Sequence, residues 1–160
     1  MISRVTGDIL KSGADMIYIP VNRKGVMGAG LAKQFKEKYP RLYMRYREIC
    51  ETEWLYQPSI ATTFEPDTPM FVMFPTKDHW KDKSDIKQIE AYLRFQFYEL
   101  TQPVYDMDSG TGFEVGSVAI PPLGAGLGGL DTDEVLDMIE RVWIESEQIE
   151  ERHLLLYTGR

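Results

Sequence analysis

Two glycine-rich segments stand about a hundred residues apart, Gly25-Val26-Met27-Gly28-Ala29-Gly30 and Gly124-Ala125-Gly126-Leu127-Gly128-Gly129, each behind an apolar run and ahead of a helical pattern. Glycine lets backbone N–H groups approach an anion because no Cβ intervenes, and a helix starting at such a loop adds the positive end of its dipole. Two loops of this kind suit a diphosphate held from both sides; a pair of purely structural turns is the other reading. Neither completes the dinucleotide fingerprint with its later acidic residue, and neither carries the Gly-Lys-Ser/Thr of a P-loop. Between them lies Phe74-Pro75-Thr76-Lys77, where a lysine at a strand end projects its ammonium into the crevice the strands open on, or is merely solvated.

Other strand ends carry polar residues suited to the same place. Asp8 follows Ile2–Val5 through Gly7, and its carboxylate can accept from an exocyclic amine such as that of adenine or cap the next turn. Asn22 closes Met16–Val21 with an amide that both donates and accepts, which suits a ribose hydroxyl pair or an Asx turn. His79 and Trp80 shape the rim beyond Lys77.

These residues need elements to hold them. Ile2–Val5 and Met16–Val21 read as strands, both central. Behind the first glycine loop Leu31, Phe35 and Tyr39 share a helical face, and Pro40 suits the start of a second helix to about Cys50, with Leu42, Tyr43, Tyr46 and Ile49 inward. Ile60–Phe64 and Met70–Phe74 flank Glu65-Pro66-Asp67-Thr68-Pro69 as a hairpin whose second arm delivers Thr76 and Lys77. Ser84 is expected to cap a helix that buries Ile86, Ile89, Leu93, Phe97 and Leu100, and Asp106–Gly112 to be loop. Val115–Ile120 reads as a strand, and Asp131 or Thr132 caps a helix with Val135, Met138, Ile139 and Val142 buried and Glu134 near the capping-box position. Leu154–Tyr157 closes the chain as a strand. The alternation predicts an α/β domain with a mixed sheet between helices. Four segments then meet beyond the carboxyl ends of the strands: Gly7-Asp8-Ile9, Asn22 with the first glycine loop, Thr76-Lys77, and the second glycine loop.

At 160 residues the chain is expected to be one domain, 1–160, and its 43% hydrophobic and 27% charged composition is that of a soluble globular protein. The single Cys50 excludes an internal disulfide, and with two histidines no Cys/His zinc cluster can form, so a reducing cytosol, no metal and no cofactor are expected. A strand-like start and the lack of an apolar stretch near 18 residues predict neither a secretion signal nor a membrane span. The net charge of −7 argues against gripping nucleic acid over the whole surface and, with compactness, for a monomer. Yet Arg23, Lys24, Lys33, Lys36, Lys38, Arg41, Arg45 and Arg47 cluster against Glu37 beside the first glycine loop, while Asp131 to Glu151 is acidic. The basic run is either a solvated helix face or a landing zone for a phosphorylated substrate.

Thr6-Gly7-Asp8-Ile9, Pro20-Val21-Asn22 with the Gly25 to Phe35 segment behind it, Phe74-Pro75-Thr76-Lys77-Asp78-His79-Trp80, and Pro122 to Asp131 occur in that order over nearly the whole chain. Together they resemble a macrodomain, in the branch containing the terminal ADP-ribose glycohydrolases and the DNA ADP-ribosyl glycohydrolase antitoxins. The resemblance implies a three-layer α/β/α fold around a mixed, mostly parallel sheet of about six strands, and an ADP-ribose site. By it, Asp8 holds the adenine amine, Ile9 contacts the base, and Tyr157 stacks on adenine or is a sheet-edge tyrosine. Asn22 faces the distal ribose, and Thr76 is part of the ADP-ribose site. Backbone groups of Gly28, Ala29, Gly30 and Leu31, and of Gly124, Ala125, Gly126, Leu127 and Gly128, enclose the diphosphate. Lys77 matches the lysine on which catalysis depends.

Such a lysine, if neutral, can attack the anomeric carbon and open the sugar through an imine-like adduct that water releases; if charged, it can stabilise a leaving group. Two positions depart from the pattern. Gly128 stands where the terminal glycohydrolases carry an aspartate, as glycine does in the DNA-directed branch, and Asp131 reads as a helix cap. Ala125 replaces a cysteine common in this loop. The activity implied is removal of ADP-ribose from a DNA base or an acidic protein side chain. Its partners would be ADP-ribose or an ADP-ribosylated substrate, ADP-ribosylated DNA among the candidates. Dephosphorylation of ADP-ribose 1''-phosphate and non-catalytic ADP-ribose reading are the alternatives.

Overall fold

The structure, a computed structural model, describes residues 1–52, 55–61, 68–105, 110, 112–146, 149 and 151–159. In chain order the elements are β1 (Ile2–Val5), a 3-10 turn (Ile9–Lys11), β2 (Met16–Asn22), α1 (Gly30–Lys38), α2 (Pro40–Thr52), β3 (Ser59–Ala61), β4 (Met70–Lys77), α3 (Ile86–Leu100), β5 (Val104–Tyr105), β6 (Gly112–Phe113), β7 (Ser117–Ile120), α4 (Thr132–Glu145) and β8 (His153–Tyr157). The main sheet has six strands in the order β1-β8-β7-β2-β4-β3; all neighbours are parallel except β3, which runs antiparallel to β4. β5 and β6 form a separate two-stranded ribbon.

Alternation along the strands divides the core between the two faces. On β2 and β4, Met16, Tyr18, Met70, Val72 and Phe74 pack with Leu93 and Phe97 of α3 and Val135, Ile139 and Val142 of α4. The intervening Ile17, Ile19, Val21, Phe71 and Met73 pack with Phe35 of α1 and Leu42 and Tyr46 of α2. β2 is buried on both faces, which is why it reads as a continuous apolar run. The helical stripes fall as their 3.6 period demands, with Tyr43 and Ile49 of α2 only partly covered.

This layering separates charge. α1 and α2 carry Lys33, Lys36, Lys38, Arg41, Arg45 and Arg47 against Glu37, Glu48 and Glu51, whereas α4 carries Asp133, Glu134, Asp137, Glu140 and Glu145 against Arg141. One face of the sheet thus wears a basic layer and the other an acidic one, within a chain of net charge −7.

Several expectations change. β1 is an edge strand, paired with β8 alone; its half-covered Arg4 reaches Asp137 at 2.7 Å and Glu140 at 2.8 Å on α4. β8 lies between β1 and β7, so Tyr157 is not at a sheet edge. The cap of α3 is Asp85, which accepts from Lys87 N at 3.0 Å, while the Ser84 N–H is drawn to Gly128 O at 3.0 Å. Asp131 caps α4, accepting from Glu134 N at 2.9 Å. β3 and β4 pair as the hairpin expectation has it, but residues 62–67, with most of the expected turn, lie outside the described residues. Of the expected Asp106–Gly112 loop, Gly112 belongs to β6 and residues 106–109 and 111 lie outside the description. Among the described residues no helix is long and apolar enough to cross a membrane.

Candidate functional site

Beyond the carboxyl ends of β2, β4 and β7 opens a cleft of about 660 Å³, lined by Asn22, Val26, residues 28–32, Thr76, Lys77, Trp80 and Gly124 with residues 126–128 of the second glycine loop. Parallel strands joined by helices leave such a crevice where neighbouring connections diverge.

Asn22 and Lys77 are brought together by an irregularity. β2 and β4 run in register from Met16 opposite Met70 to Val21 opposite Pro75; the register then shifts, so that Asn22 stands opposite Lys77 and Thr76 is the extra residue. A bulge of this kind re-aims side chains at the end of a strand. The Lys77 Nζ donates to the Trp80 carbonyl at 2.9 Å, which fixes the amine at the cleft.

Asn22 is 7% exposed and organises the first glycine loop. Its Oδ1 accepts from Lys24 N at 2.9 Å and Val26 N at 3.4 Å, and its Nδ2 donates to Val26 O at 2.7 Å. The Asx-turn reading is therefore correct, and one amide hydrogen is left for a ligand. Behind it the Tyr46 hydroxyl donates to Asn22 O at 2.7 Å and reaches Oδ1 at 3.1 Å. Burial pushes the Tyr46 phenol far above its ordinary range, so it remains a donor throughout the working pH range. Nothing local in the sequence announces this contact, which spans 24 residues.

The first loop ends at the start of α1. The α3 and α4 helices are capped by Asp85 and Asp131, but the N-cap of α1 is Ala29, which is extended and has no side-chain hydrogen bond to offer. Gly30, at φ +57°, Leu31 and Ala32 line the cleft with first-turn N–H groups that have no intrahelical acceptor. An unsatisfied helix start facing a cleft is an anion site.

The second loop is tied by Ala125 N to Pro122 O, Gly129 N to Gly126 O and Leu130 N to Gly124 O, each at 3.1 Å. Gly124 and Gly129 have φ of +78° and +81°, open to glycine at little cost. Gly128 is constrained differently. A Cβ there would lie 2.4 Å from Gly124 O and 2.3 Å from Ser84 Oγ. A side chain at this position, aspartate included, would force the loop or Ser84 to shift.

Of the sequence-predicted residues, the cleft gathers Asn22, Gly28, Ala29, Gly30, Leu31, Thr76, Lys77, Gly124, Gly126, Leu127 and Gly128. Ala125 turns back against the core. Asp8 uses Oδ1 to cap the 3-10 turn at Leu10 N, 3.0 Å away, and Ile9 and Tyr157 pack together in the core on the α1 and α2 side. The Val5–Tyr157 pairing brings all three to one carboxyl-end corner of the sheet. Arg23 is a structural bolt rather than part of a basic face: it donates to Leu55 O at 2.6 Å, to Tyr56 O at 3.1 Å and to the Tyr92 hydroxyl. Sequence reasoning missed the positioning role of Tyr46. Lys77 is the one ionisable side chain among the described residues lining the cleft. No group of three or more His, Cys, Asp or Glu among the described residues could hold a metal ion.

Comparison with known proteins accounts for this architecture. The Macro domain family model matches residues 20–139, and the chain belongs to the macrodomain family. It is 34% identical over 138 residues to the DNA ADP-ribosyl glycohydrolase of Mycobacterium tuberculosis, covering 84% of this chain but 36% of that protein. The solved macrodomain of M. tuberculosis DarG superposes with a TM-score of 0.79 at 30% identity, covering 98% of this chain and 97% of that one. Thermosipho africanus DarTG in complex with ADP-ribose superposes with a TM-score of 0.80 at 29% identity, over 98% of this chain and 41% of that one. The chain thus spans a little over a third of the length of the curated relative it matches.

Proposed function

We propose that the protein is a lysine-dependent ADP-ribosyl glycohydrolase that removes ADP-ribose from DNA. The observation that carries this reading is the position of Lys77, opposite Asn22 and between two backbone loops ready for an anion. The cleft volume lies within the range of about 300–1,000 Å³ usual for small-ligand sites. The diphosphate would lie between the α1 start and the Gly126 to Gly128 backbone, and the distal ribose against Asn22 and Thr76. The adenine would lie at the corner holding Ile9, Tyr157 and Asp8, whose Oδ2 is left to accept from the exocyclic amine. DNA is favoured over protein by the names of the relatives and by the basic layer of α1 and α2, where Lys33, Lys36 and Arg41 are exposed. We read the protein as a cytosolic monomer, on the strength of its lone free cysteine and acidic net charge.

The Lys77 amine, as nucleophile, forms a bond from Nζ to the anomeric carbon as the bond to the modified base breaks, and the base leaves with a proton. The glycosylamine so formed opens to an imine as its ring C–O bond breaks and the N–H proton passes to the ring oxygen; water then hydrolyses the imine, freeing ADP-ribose and restoring the amine. A second reading, a non-catalytic reader, draws on the absence of a carboxylate among the described residues lining the cleft to assist that water. The test is turnover of ADP-ribosylated oligonucleotide, ADP-ribosylated protein and ADP-ribose 1''-phosphate in parallel, by the wild type and Lys77→Ala. The expected result is release from the oligonucleotide that Lys77→Ala abolishes with ADP-ribose binding kept, and a borohydride-trapped adduct on Lys77. Binding without turnover on any of the three leaves a reader.

A further inference from the structure

Trp80 is a large aromatic side chain that is 44% exposed although it lines the cleft, two residues beyond Asp78 and next to the lysine the reaction needs. The loop that carries it does not depend on its ring. Asp78 O accepts from Arg23 N at 2.9 Å, Asp82 N donates to His79 O at 2.9 Å, Asp82 Oδ2 accepts from His79 N at 2.9 Å, and Lys81 N donates to His79 Nδ1 at 3.1 Å. The indole contributes a ring contact instead: it stacks on His79 with centroids 3.8 Å apart and planes inclined by 27°. Since the His79 ring is itself held by Lys81 N, it backs the indole and limits its rotation. The Trp80 main chain meanwhile holds the Lys77 amine, so the aromatic surface and the nucleophile are positioned by one residue.

An exposed, pre-oriented indole beside the lysine is suited to a flat, aromatic group joined to the anomeric carbon. Every nucleobase offers such a face, whereas a glutamate or aspartate side chain offers none. We propose that Trp80, backed by His79, is the stacking platform for the nucleobase that bears ADP-ribose, so that this base is read with one face free of its neighbours. This rests on the glycohydrolase reading above and specifies its leaving group. In a duplex the base is stacked on its neighbours, and presenting a face to Trp80 requires unstacking it.

The test uses the whole chain, with Trp80→Ala, Trp80→Phe and His79→Ala beside the wild type, on a single-stranded ADP-ribosylated oligonucleotide, the same strand annealed to its complement, and free ADP-ribose. Base–aromatic stacking of about 1–3 kcal/mol corresponds to a rise in KM of about 5- to 150-fold for Trp80→Ala on the single strand. Trp80→Phe is expected to recover most of this and His79→Ala to give a smaller rise. Affinity for free ADP-ribose is expected to hold in all three, and the annealed strand to be cleaved more slowly than the single strand by the wild type. Equal losses by Trp80→Ala on oligonucleotide and free ADP-ribose would place the indole on the nucleotide itself and overturn the proposal, as would an unchanged KM. Wild-type inactivity on the oligonucleotide would overturn the glycohydrolase reading too, whereas wild-type turnover with an indifferent Trp80→Ala would overturn the platform alone.

Discussion

Gly128→Ala places a methyl group where the second glycine loop has no room for one. Its Cβ would stand 2.4 Å from Gly124 O, 3.0 Å from Gly124 C and 2.3 Å from Ser84 Oγ. The Ser84 hydroxyl is buried without a partner and can rotate aside, but the carbonyl cannot retreat freely. Gly124 O accepts from Leu130 N at 3.1 Å, and the space a Gly124 Cβ would take is closed by Ile89 Cδ1 at 2.8 Å and Ser84 Cβ at 2.9 Å. Overpacking of about 1–3 kcal/mol plus one strained hydrogen bond of about 1 kcal/mol gives a loss of about 2–4 kcal/mol. At about 2–4 °C per kcal/mol for a domain of this size, the Tm falls by about 4–16 °C. Saturating ADP-ribose at 100 times its Kd should stabilise the wild type by about 2.7 kcal/mol, and the variant by less, because the displaced loop no longer presents its N–H groups. Thermal unfolding with and without ADP-ribose reads both effects. Adding Ser84→Ala removes the 2.3 Å contact only and should leave most of the loss in place. A Gly128→Ala protein that melts within about 1 °C of wild type, with its ligand shift intact, would refute the reasoning; full rescue by Ser84→Ala would move the strain from backbone to side chain. Gly128→Asp meets the same obstruction and is expected to displace the loop in the same way.

Ala29→Asp supplies the cap that α1 lacks and should raise the denaturation midpoint by the equivalent of about 0.5–2 kcal/mol while weakening ADP-ribose binding, since in the proposed site the carboxylate would take the N–H groups offered to the diphosphate and repel it. Titration calorimetry showing unchanged affinity would remove the α1 start from the site. Tyr46→Phe strips a buried donor from Asn22 and should cost about 1–3 kcal/mol in urea denaturation together with some ADP-ribose affinity; an unchanged midpoint would show the hydroxyl to be dispensable. On the outer surface of α3 and α4, the Glu145 carboxyl is held below its ordinary value by the hydrogen bond from Arg94 at 2.7 Å and by the charge of Arg141. A depressed carboxyl stabilises the fold above its ordinary value of 4.5 and loses that contribution as pH falls through the lower folded value. Glu145→Gln should therefore melt below wild type at neutral pH, and the gap should close in acid; a gap independent of pH would exclude the charge as its source.

Much of the fold was legible because its signals are local. The apolar run of β2 and the 3.6-residue stripes of α3 and α4 express burial within a few residues, and the two glycine loops mark where backbone must approach something closely. Position in the sheet was not legible for β1, whose four residues read the same at an edge or in the middle. The cap of α3 was misjudged between neighbours of equal propensity, because a contact from Ser84 N to Gly128 O decided it.

The sequence by itself determined which segments become strands, helices and glycine turns, which residues are of a kind to bind an anion or attack a sugar, and the family to which they point. Only the tertiary structure decided that Asn22 faces Lys77, through a register shift between strands 55 residues apart, that Tyr46 props Asn22, that Trp80 and His79 stack beside the amine, and that basic and acidic helices take opposite faces of the sheet. The reason is one of range. Propensity and periodicity act over a turn or two of chain, whereas register, loop closure and the meeting of side chains at a cleft are settled by packing between segments that are neighbours only once the sheet has formed.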